Sequence, residues 1–258
     1  MFYLTATYIG IDPTAGEKPF VYAAIGHDLD ILALGSGSID DTLAFTAGQR
    51  QAVVAVCAPQ KPNCGIMNDE KFRDSLLPKP NPGRWENFRY AEYALRQHKI
   101  LIPQTSANKD DCPGWMRMGF IVYKRLLEFG YRQYPNENCE KFFIEVYPHA
   151  CYTVLLKFFP FPKGSIEGRM QRQLVLLENS VNVPDPMRFF EEITRYRLLN
   201  GVLPLERLYS PNELDALMAA YTAWKVVNKP QEVSYIGDEN EGQIVLPISD
   251  LCPQYHYR

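Results

Sequence analysis

The sequence predicts an α/β protein, a single sheet flanked by helices, and three observations predict it. Short strand-like segments crowd the first 60 residues. Two apolar runs, Ala52 to Ala58 and Phe142 to Tyr147, suit strands buried on both faces, as in the parallel part of a sheet. Helical spacing dominates most of the rest.

In chain order, Tyr8 to Asp12 reads as a first strand stopped by Pro13, Phe20 to Ile25 as a second and Asp30 to Gly35 as a third. The link from Gly26 to Asp28 suits a hairpin turn. Asp40 and Asp41 open a short helix to about Ala47. The run from Ala52 is ended by Pro59. Residues 59 to about 85 carry five prolines and read as a loop or lid. Helices follow near 87–98 and 115–129, the second with Met118, Ile121, Val122, Leu126 and Phe129 near helical spacing and Gly130 as C-cap. After the strand at 142–147 come helices near 149–158, 166–179 and 187–199. The last helix has the clearest start: Ser210 at N-cap, Pro211 first in the helix and Glu213 third, running to about Val227. The expected organisation is one domain over 1–258 with a Pro-rich and helical insertion at about 59–135.

Composition narrows the function. The chain has 258 residues, 46% hydrophobic and 22% charged, with net charge -3. This is the balance of a globular protein and excludes a disordered or low-complexity chain. Mild acidity argues against tight non-specific binding of long nucleic acid, although residues 61–132 carry 13 Lys and Arg against 8 Asp and Glu. No apolar run reaches the ~18 residues that span a membrane, and the N-terminus reads as a strand rather than a signal peptide. Six cysteines without a C-x-x-C pair suggest reduced thiols and a cytoplasmic location. Four scattered histidines give no zinc pattern.

Three acids stand in apolar surroundings: Asp12 at the end of the first strand, Glu145 inside a buried strand and Asp215 among Leu214, Ala216, Leu217 and Met218. An ionised carboxylate there costs several kcal/mol unless it is paired or bound to a cation. Each has a plain structural explanation. Asp12 before a proline can be a turn residue, Glu145 can face solvent or pair with an arginine, and Asp215 can cap or pair with a distant Lys or Arg. Asp215 has no basic residue one turn away. Taken together, the three acids are expected around one pocket at one end of the sheet. Oxygen ligands of this kind suit Mg²⁺ or Mn²⁺.

The order of Gly10-Ile11-Asp12, the strand from Val53 to Pro59, Phe143 to Pro148 and Leu214 to Ala223 resembles a family of predicted nucleases of ribonuclease-H-like fold, domain of unknown function 429. Lys163 to Leu177 and Glu241 to Pro247 resemble further segments of it. The resemblance implies a mixed sheet of three antiparallel strands followed by parallel strands flanked by helices. It also implies a metal site from acids on the first strand, the fourth strand and the last helix. Asp12, Glu145 and Asp215 carry over as metal ligands and catalytic groups, with Mg²⁺ or Mn²⁺ as cofactor. At Cys57 the chain departs: the family carries Asp in an Asp-Ala-Pro motif where this chain has Cys57-Ala58-Pro59. A thiol is a poor Mg²⁺ ligand, which weakens a two-metal centre.

The resulting expectation is a metal-dependent nuclease or phosphodiesterase, with Lys163, Arg169 and Arg172 holding phosphates of nucleic acid or another phosphate-containing substrate. The alternative is a non-catalytic nucleic-acid- or ligand-binding or regulatory protein with a degenerate site. Nucleotide phosphotransfer ranks lower because no G-x-x-x-x-G-K-[ST] loop is present. A nucleophilic Cys57 lacks an evident base.

Overall fold

A computed structural model describes residues 6–14, 18–77, 79–81, 83, 85–136 and 139–258. β1 (Thr7–Asp12), β2 (Phe20–Ile25) and β3 (Ile31–Gly37) form an antiparallel meander. α1 (Ile39–Ala47) starts with a capping box in which Ser38 accepts from the Asp41 amide and Asp41 accepts from that of Ser38. β4 (Ala52–Val56) then lies parallel to β1. The segment between β4 and β6, the expected insertion, carries α2 (Glu70–Ser75), α3 (Tyr90–Gln97) and α4 (Gly114–Glu128). It ends in the short β5 (Arg132–Gln133), beside β6 (Lys141–Glu145), which is parallel to β4. α5 (Pro148–Leu156), α6 (Ile166–Glu178), α7 (Arg188–Glu191), α8 (Arg195–Leu199) and α9 (Pro211–Asn228) follow. The antiparallel pair β7 (Ser234–Asp238) and β8 (Gly242–Leu246) completes the sheet, in the order β3-β2-β1-β4-β6-β8-β7.

The three antiparallel strands followed by parallel ones match the expected ribonuclease-H-like sheet. Three local readings differ. The stretch at 59–85, expected as a loop or lid, contains the short α2, which the Asp69 side chain caps by accepting from the Lys71 amide. The helix expected over 187–199 is broken, because the Thr194 hydroxyl accepts from the Arg197 amide and begins a new helix. β7 and β8 escaped notice because β7 is half-buried throughout and has no apolar run. Among the described residues no helix is long and apolar enough to cross a membrane.

The sheet's pleat separates two cores. Tyr8 of β1, Val53 and Ala55 of β4, Cys57 just beyond it, and Phe142 and Ile144 of β6 pack with α9 on one face. Ile9, Ile11, Val54, Val56 and Phe143 pack with Val122, Tyr123 and Leu126 of α4 on the other. On the first face α9 presents Ala216, Ala219 and Ala220, all fully buried. A Cβ at Gly10 would lie 1.9 Å from the Ala216 carbonyl oxygen and 2.6 Å from the Ala220 nitrogen. The absent side chain at Gly10 is therefore what lets helix backbone touch strand backbone.

Gly10→Ala should consequently cost about 3 kcal/mol or more, the upper end of overpacking penalties, because backbone atoms cannot swing aside. Urea denaturation of both proteins measures this. A loss below about 1 kcal/mol would show that α9 can retreat from the sheet.

Candidate active site

The close contact brings the last helix to the carboxyl ends of β1 and β4, the edge where open α/β sheets commonly bind ligands. A cavity of about 770 Å³ opens there, lined by Asp12, Cys57, Lys163, Arg172 and Asp215 among others. Its walls are mostly apolar and aromatic, including Trp115, Tyr147, Phe161 and Tyr257.

Asp12 is the last residue of β1, and its Oδ1 accepts from the Thr14 amide at 3.2 Å, an Asx-type turn beyond the strand. Burial and the nearby Asp215 charge push its carboxyl up to about 6, against smaller opposing effects of the Thr14 amide and Lys163. Asp215 sits one turn into α9. Burial raises its pKa too, opposed by Lys163 and then Arg172. The Lys163 ammonium is 2.8 Å from Asp215 Oδ2. Burial opposes the Lys163 charge most, but attraction and a hydrogen bond to Asp215, with Asp12 adding to them, together outweigh it and the pKa rises. The distant partner that Asp215 needed is thus Lys163, from the segment before α6.

Cys57 follows β4, its amide bonded to the Ile11 carbonyl at 2.8 Å and its thiol directed at the Asp215 carbonyl at 3.7 Å. It occupies the third place beside the two aspartates. Burial, then Asp12 and Asp215, push the thiol well up, so it stays protonated and non-nucleophilic at neutral pH.

Glu145 is elsewhere. It alternates with Ile144 and shares the orientation of Phe143, facing α4 rather than α9. Arg89 engages both of its oxygens, Nη2 to Oε1 at 2.5 Å and Nη1 to Oε2 at 3.0 Å, and the Gln60 amide adds 2.7 Å to Oε2. Arg89 is fully buried, and its Nε also bonds Glu92, which accepts from Thr105. Burial opposes the Arg89 charge, but Glu145 and Glu92 more than offset this. Glu241 accepts from the amides of Cys64, Ile66 and Tyr90. The network pins the insertion onto β6 and β8. The expected convergence of three acids therefore holds for Asp12 and Asp215 but not for Glu145, which the strand's two-residue period turns to the other face.

The expected phosphate-holding residues also divide. Lys163 and Arg172 line the cavity. Arg169 does not: its Nε donates to the Tyr209 carbonyl at 2.7 Å and its Nη2 to that of Leu208, tying α6 to the loop before α9. His149 lines the cavity and had drawn no attention in the sequence. Burial, then Arg172 and Lys163, push its imidazole down to about 4, so it is neutral at pH 7. Its position directly after the strand-ending Pro148 was the available signal. Among the described residues no three His, Cys, Asp or Glu side chains are grouped so as to hold a metal ion.

Sheet order and a helix laid across β1 define an α/β protein of ribonuclease-H-like architecture, with a cavity at the carboxyl edge that holds two acids, Asp12 and Asp215, among Lys18, Lys163 and Arg172. The chain belongs to the family described as protein of unknown function (DUF429), whose sequence model matches residues 70–241. That span holds Glu145, Lys163, Arg172 and Asp215, whereas β1 and β4 precede it. No curated protein and no solved structure matches the chain.

Two predictions follow from these charges. A carboxyl whose folded pKa lies above its unfolded value favours the fold below about pH 4 and loses that advantage as pH rises through about 6. Asp12→Asn should therefore gain stability relative to wild type between pH 4 and pH 7.5, by on the order of 1–3 kcal/mol. Denaturant titrations at both pH values test this, and a pH-independent difference would refute the raised carboxyl. Arg89→Met should cost about 3–5 kcal/mol, because it strands two buried carboxylates. A loss under about 1 kcal/mol in the same titration would mean the network is not needed to hold the insertion.

Proposed function

We propose that the chain is a phosphodiesterase of nuclease type whose centre is reduced to two acids, Asp12 and Asp215. What supports this best is the pairing itself: burial raises the proton affinity of both carboxylates, Asp215 raises that of Asp12 further, and one lysine stands beside them at the carboxyl edge of β1 and β4. Such a pair favours a cation, and the family is regarded as one of predicted ribonuclease-H-like nucleases. Mg²⁺ often takes only one or two protein carboxylates and completes its shell with substrate phosphate and water. Asp12 and Asp215 fit one such ion, and Cys57 leaves a second without a hard ligand. When bound, the ion would activate water and stabilise the leaving oxygen. Lys163 would pass from Asp215 to a substrate phosphate, Arg172 would hold phosphate, and the apolar walls would exclude bulk water.

A second reading is a binding protein with a decayed site. Cys57 and the Lys163–Asp215 pair favour it, since the ammonium supplies a cation without a metal.

Melting temperature with and without millimolar Mn²⁺ separates the readings. Wild type should be stabilised, Asp215→Asn should lose the shift, and Glu145→Gln should keep it in whatever fraction folds. Cys57→Asp should melt lower without metal, bind Mn²⁺ more tightly by calorimetry and cleave single-stranded or hybrid substrates faster. Equal shifts in wild type and Asp215→Asn, with unchanged affinity in a folded Cys57→Asp protein, would overturn the metal-centred reading in favour of the second.

A further inference from the structure

Large apolar side chains crowd the surface of one small unit of the fold. Met187 just before α7, Phe190 within it, Tyr196, Leu198 and Leu199 of α8, and Val202 after it are each between 46% and 77% exposed. The stretch folds back on itself, because the Val202 amide donates to the Arg197 carbonyl and Glu192 accepts from both Arg197 and Arg207. Beneath it Phe189 and Leu208 pack with Met170 of α6. The six outward side chains expose on the order of 600 Å², the upper end of the largest apolar patch on a monomer.

α8 supplies a second observation: it buries no residue in this chain. A helix of one turn does not hold in water by itself and takes its order from the packing of its apolar side. The charges of the same stretch are balanced. Residues 185–207 carry four Arg and four Asp or Glu. Arg197 and Arg207 pair with Glu192, whereas among the described residues the exposed Arg188, Glu191 and Arg195 make no ion pair. A face without net charge exerts no pull on nucleic acid or anionic lipid, which bind through an excess of Lys and Arg. It does not repel a copy of itself either.

We propose that this face closes a two-fold dimer of the chain. Each partner in a standard interface buries about 800 Å², roughly 60% of it apolar, and the six side chains supply that apolar share. Two-fold symmetry sets the same patch against itself, so every contact occurs twice. Glu191 of one copy then meets the partner's Arg188 or the partner's Arg195, and the apolar side of α8 gains the cover that its own chain does not give. None of these side chains lines the cavity, so the dimer is independent of the phosphodiesterase reading.

Sedimentation velocity of the full chain from about 1 to about 100 μM tests this, since a dimer's population follows concentration. Wild type should reach twice the chain mass within that range. Leu199→Glu should raise the dimer dissociation constant at least about tenfold, because it buries an unpaired charge at the interface. Its circular dichroism spectrum should not change, the side chain being 77% exposed in the single chain. Tyr196→Ser removes apolar area without adding charge; it should raise the constant severalfold, and it decides should Leu199→Glu misfold. Leu127→Glu, exposed on α4 across the sheet, should leave the dimer intact. A wild type still monomeric at the highest concentration, or a dimer that survives both α8 substitutions, would overturn the proposal. So would a dimer lost in folded Leu127→Glu, or growth beyond two copies, which marks a head-to-tail contact.

Discussion

The backbone of α9 lies so close to β1 that a methyl group at Gly10 would sit 1.9 Å from the Ala216 carbonyl oxygen. Small residues on the facing side of the helix, Ala216, Ala219 and Ala220, make the approach possible. Asp215 is carried by the same stretch of helix, so this packing also decides where its carboxylate goes. It lands beside Asp12 and over Cys57, in surroundings that leave little water to screen two like charges. The raised proton affinities of both aspartates are a consequence of helix packing more than of any residue chosen to tune them.

Buried charge is handled in two ways in this molecule. Around Arg89, Glu92, Glu145 and Glu241 the demands are met: Arg89 spans two carboxylates and a backbone carbonyl, and the acids take amides from the insertion. Such a network contributes mainly by holding parts in register, since desolvation consumes much of its Coulombic gain. Around Asp12, Lys163, Arg172 and Asp215 the demands are only partly met. Asp12 accepts one amide, and Arg172 Nε donates to nothing. Incomplete pairing beside the cavity distinguishes this group from the fully paired joint around Arg89.

Cys57 shapes the chemistry of the site. Its thiol lies against the Asp215 carbonyl, and its protonated state adds no charge beside the aspartates. Relief from like-charge repulsion comes at the expense of a hard metal ligand. The two proposed readings, a one-metal enzyme and a metal-free binding protein, therefore differ in what this side chain at the end of β4 permits.

The sequence by itself determined the sheet's nucleus and the ends of α9. Apolar runs at 52–58 and 142–147 have few alternatives to buried strands, and Ser210-Pro211-Asn212-Glu213 carries its own capping chemistry. It also marked Asp12 and Asp215, because an acid in an apolar helix or at a strand end needs a partner whatever the fold. Tertiary structure alone decided which partner. Glu145 looked equivalent to the other two, but the alternation of a strand turns it toward α4, and Arg89, 56 residues away, claims it. Arg169 and Arg172 looked interchangeable on one helix, yet carbonyls from the loop before α9 capture the first and leave the second at the cavity. Local sequence specifies elements because caps and periodicity act over a few residues. The partners of buried charges come from distant segments, and only the packing of α9, α6 and the insertion on the sheet selects them.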